Sequence, residues 1–168
     1  NAGFESVIMA DNLRGENGGL VLPEFCDQTV RKINQALSPA GIDRLLDIHN
    51  PLDVTPMADD ATFGACLEAL VEDKNVDCAV ISIVPVTAVL QTLPPGEAHH
   101  ENIYDENSLA GYLIRAFKKT DKPMVVNIDA GQLYDPLAEY LEDNGLPVFR
   151  RCDRALAFLK RFVAIHKA

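Results

Sequence analysis

Short unbroken apolar runs alternate along this chain with stretches whose apolar residues recur every third or fourth position. The runs are GLVL (19–22), CAVISIV (78–84), PMVVNI (123–128) and LPVF (146–149). Short, continuous and rich in β-branched residues, they predict strands covered on both faces. The periodic stretches predict helices between them. Val30, Ile33 and Leu37 mark one stripe, and Phe63, Leu67, Leu70 and Val71 another. Leu109, Tyr112, Leu113, Ala116 and Phe117 mark a third, Leu133, Leu137, Tyr140 and Leu141 a fourth, and Leu156, Leu159 and Val163 the last. Local signals agree: Asp135-Pro136 opens the fourth helix, Gly145 stops it, and Asp153 caps the final one.

Strands that alternate with helices imply a parallel sheet with helices on both faces, an α/β fold. Pro23 directly follows the first run and Pro147 lies inside the last. Both runs therefore belong at sheet edges, where a missing N–H is tolerated, and 78–84 and 123–128 belong inside. This is the arrangement of a flavodoxin-like sheet ordered 2-1-3-4-5. At the N-terminus, NAGFESVIMADNL reads as a tight turn at Asn1, Ala2 and Gly3 followed by a helix bearing Phe4, Val7 and Ile8. Such a turn normally follows a buried strand, so the expectation is a sheet whose first strand is missing from this chain. Its absence would leave a strand-wide slot between 19–22 and 78–84. The chain reads as a single domain, 1–168, with one long irregular connection at 85–107, PVTAVLQTLPPGEAHHENIYDEN, about twice the usual length.

Charge narrows the functional classes. Fifteen Lys and Arg against 25 Asp and Glu give a net −10, which weighs against a nucleic-acid partner. An anionic ligand would have to be held by backbone amides and helix ends rather than by a basic field. No apolar run approaches a membrane span, and no basic segment precedes an apolar stretch at the start, so no membrane association is expected. Cys26, Cys66, Cys78 and Cys152 stand far apart without metal-type spacing, as reduced thiols of a cytoplasmic protein do, with Cys66 and Cys78 in the core.

In a parallel sheet, ligands bind beyond the carboxyl ends of the strands. The Asn1–Gly3 turn, the 85–107 loop and DAGQLYD (129–135) should share that edge. The turn is either an anion site, its glycine allowing close approach to free helix amides, or simply a sharp strand-to-helix corner. His99-His100-Glu101 is read as a solvated loop, because adjacent histidines point apart and no third ligand is evident. Asp129 follows a strand without the partners a phosphorylated receiver aspartate needs. Ser6, Ser82 and Ser108 lack a nucleophile-elbow setting. No catalytic and no metal-binding residue is expected in this chain.

NPLDVTPMADDATFGACLEALVEDKNVDCAVISIVPV (50–86) resembles the C-terminal flavodoxin-like domain shared by NDP-forming acyl-CoA synthetases, the ADP-forming acetyl-CoA synthetases among them, and by the succinyl-CoA synthetase β-subunit. The carrying features are an Asn-Pro-x-Asp turn, a helix ending in an acidic step, Asn75-Val76-Asp77, and a buried strand. LPVFRRCDRALAFL (146–159) is similar to the same domain's closing strand and helix, and NAGFESVIMADNL to the turn and helix after its first strand. The family's Gly-Gly-Pro-Gly continuation is Phe4-Glu5-Ser6 here.

The resemblance implies an acid–thiol ligase that interconverts acyl-CoA, ADP and phosphate with free acid, CoA and ATP through a phosphohistidine on a mobile loop. It implies phosphate binding at Asn1, Ala2 and Gly3, where a helix N-terminus faces that phosphohistidine. The histidine loop itself is absent, so the chain reads as a fragment of a larger multidomain enzyme, inactive alone and binding no cofactor by itself. CoA, ADP or ATP and magnesium belong to the complete enzyme. Its partners would be CoA-binding, phosphohistidine and ATP-grasp domains, in the same chain or another, or a second copy in a homodimer. The alternative is a non-catalytic interaction module that keeps the fold without phosphate binding.

Overall fold

The computed structural model describes residues 3–13 and 19–166, with side chains from Ser6 onward. Three parallel strands, β1 (Ala79–Ile83), β2 (Met124–Ile128) and β3 (Val148–Phe149), form a sheet in the order β1-β2-β3. Among the described residues six α-helices accompany them: α1 (Gly3–Leu13), α2 (Asp27–Leu37), α3 (Asp60–Val71), α4 (Leu109–Lys119), α5 (Asp135–Asp143) and α6 (Cys152–His166). The three later runs of the sequence thus pair side by side, as expected for a flavodoxin-like α/β domain. β2 is central and all five of its residues are buried, whereas β1 alternates buried and half-buried positions.

The sheet's two faces differ in size. On one, α2 to α5 pack a large core around Ile33, Leu37, Phe63, Ile81, Ile83, Leu113, Val126, Ile128, Leu137 and Leu141. On the other, α6 lays Ala155, Leu159 and Val163 over Val125, with Val80, Cys78, Phe149 and Leu20 at the margin. α1 lies beside α6, and Lys160 Nζ donates to the Asn12 carbonyl at 2.8 Å.

Caps account for the helix starts. Asp59 accepts from Thr62 N at 2.8 Å ahead of α3, and Ser108 accepts from Gly111 N at 3.1 Å ahead of α4. Lys118 and Lys119 complement the dipole at the end of α4. Gly145, at φ +91°, supplies the left-handed residue that ends α5.

Five sequence expectations shift. The run 78–84, expected inside the sheet, forms β1 at its edge among the described residues, because 19–22 does not pair with it. Residues 19–22 form no strand: the segment is extended but has no ladder partner among the described residues, and Val21 is 83% exposed. An unbroken apolar run predicts burial on two faces only where a neighbouring strand is available to pair with it. Val7 faces solvent, so the inward side of α1 is carried by Ser6 and Met9. Leu133 precedes α5 in a 3₁₀ turn and is exposed, and Tyr134 rather than Asp135 occupies the cap position. Asp153 lies inside the first turn of α6, held by Arg151.

Candidate functional site

Each strand runs apolar and then meets a polar residue at its carboxyl end: Ser82 in β1, Asn127 in β2 and Arg150 just after β3. Ser82 and Asn127 are register partners, and the Asn127 amide donates to Ser82 Oγ at 3.1 Å. Asn127 is fully buried, and its Oδ1 has no hydrogen-bond partner among the described residues. Arg150 forms an ion pair with Asp135 at the start of α5, while its Nη1 is buried without an acceptor. Buried polar groups normally find partners, so these atoms mark this edge as built for more than packing.

α1, which opens at Gly3, lies along β1. Ser6 and Met9 line a groove with Ser82 and also the groove that reaches Leu13 and Cys78. The first amide groups of α1 carry the partial positive charge of a helix start. Of the three residues expected to hold phosphate, Gly3 is the first residue of α1; Asn1 and Ala2 lie outside the described residues. The 85–107 loop and Asp129–Gly131 leave the carboxyl edge of the strands together, because Ile83 and Ile128 are in register.

The 85–107 loop is packed rather than loose. Leu90, Thr92 and Ile103 are buried. Glu101 accepts from Thr92 N at 2.6 Å, Thr92 Oγ1 at 3.0 Å and Leu93 N at 3.1 Å. Asp60, at the start of α3, clamps both ends of the connection, accepting from Gln91 N at 3.1 Å and from Leu109 N at 2.6 Å. Burial pushes the Asp60 carboxyl above its ordinary value despite these donors. Tyr104 meets Tyr140 of α5 edge-on at 4.9 Å. Of His99-His100-Glu101, His99 and Glu101 are half-buried and His100 is exposed. Among the described residues no three His, Cys, Asp or Glu side chains gather as a metal site.

An apolar groove runs along the outer edge of β1. Its walls are Met9 of α1, Leu67 and Leu70 of α3, Pro51 and Leu52 of the 41–59 segment, and Leu20 to Leu22. Among the described residues no charged side chain lines it. Elsewhere, Cys66 is buried, which pushes its thiol up to about 11. The Cys26 thiol is held below its usual value by its hydrogen bond with Thr29, 3.3 Å away at the start of α2. No described helix is long and apolar enough to cross a membrane.

A parallel sheet with helices packed on both faces is the arrangement of the flavodoxin-like class. Comparison with known proteins narrows it. The chain is 29% identical over 154 residues to the α-subunit of ADP-forming acetate–CoA ligase II from Pyrococcus furiosus, covering 90% of this chain and 29% of that one. It superposes on the dinucleotide-forming acetyl-coenzyme A synthetase 1 of Ca. Korarchaeum cryptofilum with a TM-score of 0.77 at 19% identity, covering 99% of this chain and 32% of the other. The same values hold for that enzyme in complex with phosphate and ADP. A protein of Pyrococcus horikoshii OT3 superposes with a TM-score of 0.73 at 24% identity, over 93% of this chain and 32% of that one. No family model matches. The resemblance read from the sequence is thus met by both a sequence relative and solved folds, and the chain spans about a third of their length.

The sequence reading missed Ser82, Asn127 and Arg150 as a group. The available signal was a single polar residue at the end of each apolar run.

Proposed function

We propose that this chain is the flavodoxin-like domain of an NDP-forming acyl-CoA synthetase, an acid–thiol ligase that converts acyl-CoA, ADP and phosphate into free acid, CoA and ATP. Its contribution is the start of α1 at Asn1–Gly3, which stabilises the phosphoryl group carried between the active centres of the complete enzyme. CoA, nucleotide and magnesium are bound elsewhere, by CoA-binding, phosphohistidine and ATP-grasp domains in the same or another chain. What supports this reading is the helix that opens at Gly3 and lines, through Ser6, a groove shared with Ser82 of β1, in a chain similar over most of its length to part of an ADP-forming acetate–CoA ligase subunit. Amide groups aimed at developing negative charge suit a phosphoryl transfer, and an acidic domain has few other means of holding an anion. No residue of this chain need act as acid, base or nucleophile.

Reconstitution tests the proposal. This chain alone should form no ATP from acetyl-CoA, ADP and phosphate; mixed with separately purified CoA-binding, phosphohistidine and ATP-grasp domains, it should restore the reaction. Gly3→Glu, which sets a carboxylate beside the bound phosphoryl group, should lower the restored rate roughly tenfold or more while leaving the fold intact. If the other domains react equally well without this chain, it is a non-catalytic interaction module.

A further inference from the structure

The side of α6 that faces away from the sheet carries a pattern that neither the fold nor the proposed activity uses. Arg154, Ala157, Phe158, Arg161, Ala164 and Ile165 are all exposed there. They form three pairs seven residues apart, Arg with Arg, Ala with Ala and Phe with Ile. Phe158 is 40% exposed and Ile165 72%, although α6 already buries Ala155, Leu156, Leu159 and Val163 on its inner side. A helix that only covers a sheet needs one apolar side, and this one has two. The second is held in shape: Phe158 lies 5.3 Å from Phe149 and 6.1 Å from Phe162, whose ring stacks on His166 at 4.1 Å.

Charge says what covers it. Six of the 15 Lys and Arg but only one of the 25 Asp and Glu fall within 150–168, so that segment is net +5 and residues 1–149 are net −15. Arg154 and Arg161 both lie on the exposed side of α6, and neither enters an ion pair among the described residues. We propose that this face docks an acidic amphipathic helix of a partner protein. The partner's apolar residues, also repeating at seven, would seat between Phe158 and Ile165; the two alanines let the helices approach closely, and carboxylates on its flanks would meet Arg154 and Arg161. An antiparallel pair of α6 helices from two copies would instead set Arg154 against the second Arg161, a like-charge contact. An anionic bilayer or a nucleic acid would have to approach a molecule that is strongly negative elsewhere. The inference does not rest on the catalytic reading.

The test uses two labelled peptides of about 21 residues, three heptads with Leu at a and d and either Glu or Lys at e and g. Fluorescence anisotropy with the intact chain should show the Glu peptide binding at least roughly tenfold more tightly than the Lys peptide, with affinity falling as salt is raised. The double variant Arg154→Glu/Arg161→Glu should reverse that preference. Phe158→Ser should weaken the Glu peptide by a similar factor, while the denaturation midpoint confirms that both variants fold. Equal binding of the two peptides, or a preference untouched by the double reversal, would overturn the proposal. So would sedimentation of the chain with phosphatidylserine vesicles in an Arg154- and Arg161-dependent manner, which would assign the face to a membrane. A concentration-dependent dimer abolished by Phe158→Ser would likewise overturn it, assigning the face to a second copy.

Discussion

Replacing Asp60 tests how the longest connection in the chain is held at the sheet's functional edge. One carboxylate serves two backbone amides far apart in sequence: Gln91 N donates to Oδ1 at 3.1 Å and Oδ2 at 3.2 Å, and Leu109 N donates to Oδ1 at 2.6 Å. Leu109 is completely buried, so no solvent can replace the lost acceptor there. An orphaned buried donor costs about 1–3 kcal/mol, and with a smaller loss at the half-buried Gln91 this places Asp60→Ala about 2–4 kcal/mol below the parent. Relief of the buried charge offsets part of this, which favours the lower half of that range. Asp60→Asn keeps an oxygen where Oδ1 sits and should lose only about 1 kcal/mol. The pH dependence separates the two terms. Because burial raises the folded-state pKa of Asp60, the folded protein binds the proton more tightly than the unfolded chain. The stability this group contributes is therefore complete below its ordinary value of 3.8 and is lost as pH rises through the folded value. The deficit of Asp60→Asn should accordingly shrink between about pH 4 and neutrality. Urea midpoints at several pH values measure the energies, and hydrogen exchange at Gln91 and Leu109 reports the clamp directly. An alanine variant within about 0.5 kcal/mol of the parent, or an asparagine variant as damaged as the alanine one, would refute the reasoning.

Two further expectations rest on close packing and on thiol environment. A Cβ at Gly111 would stand 2.3 Å from the Glu106 carbonyl, which is backbone and part of the turn that Ser108 ties into α4, whereas a Cβ at Gly64 would meet the Tyr112 ring at 2.2 Å. Gly111→Ala should cost about 3 kcal/mol with no rescue, while Gly64→Ala should be partly rescued by Tyr112→Ala, as a double-mutant cycle of urea midpoints would show. Among the thiols, Cys26 should alkylate fastest in the native protein, with a pH midpoint below the ordinary 9.0; Cys66, buried and raised to about 11, should react only on unfolding, as iodoacetamide labelling followed by peptide mapping would reveal. Labelling of Cys66 at the rate of Cys26 would contradict the burial described for α3.

The sequence alone determined those elements whose signals are local or periodic. CAVISIV, PMVVNI and LPVF became neighbouring parallel strands in the anticipated order, because continuous apolar runs separated by helices can be buried only in such a sheet. Pro147 correctly placed the last run at an edge, and Gly145 correctly ended α5. What pairs with a run is not local, and for that reason GLVL misled: its pattern suits a strand, but 19–22 has no ladder partner among the described residues and skirts the groove beside β1 instead. The tertiary structure alone also decided the edge chemistry. Ser82, Asn127 and Arg150 lie far apart in sequence, and parallel register brings the ends of their strands to one edge, joining the Ser82 and Asn127 side chains by a hydrogen bond. Asp60 likewise reads as an ordinary first-turn acid until folding brings Gln91 and Leu109 within its reach. Periodicity records which side of an element is apolar, whereas the partners of a buried polar atom are fixed only when distant segments meet.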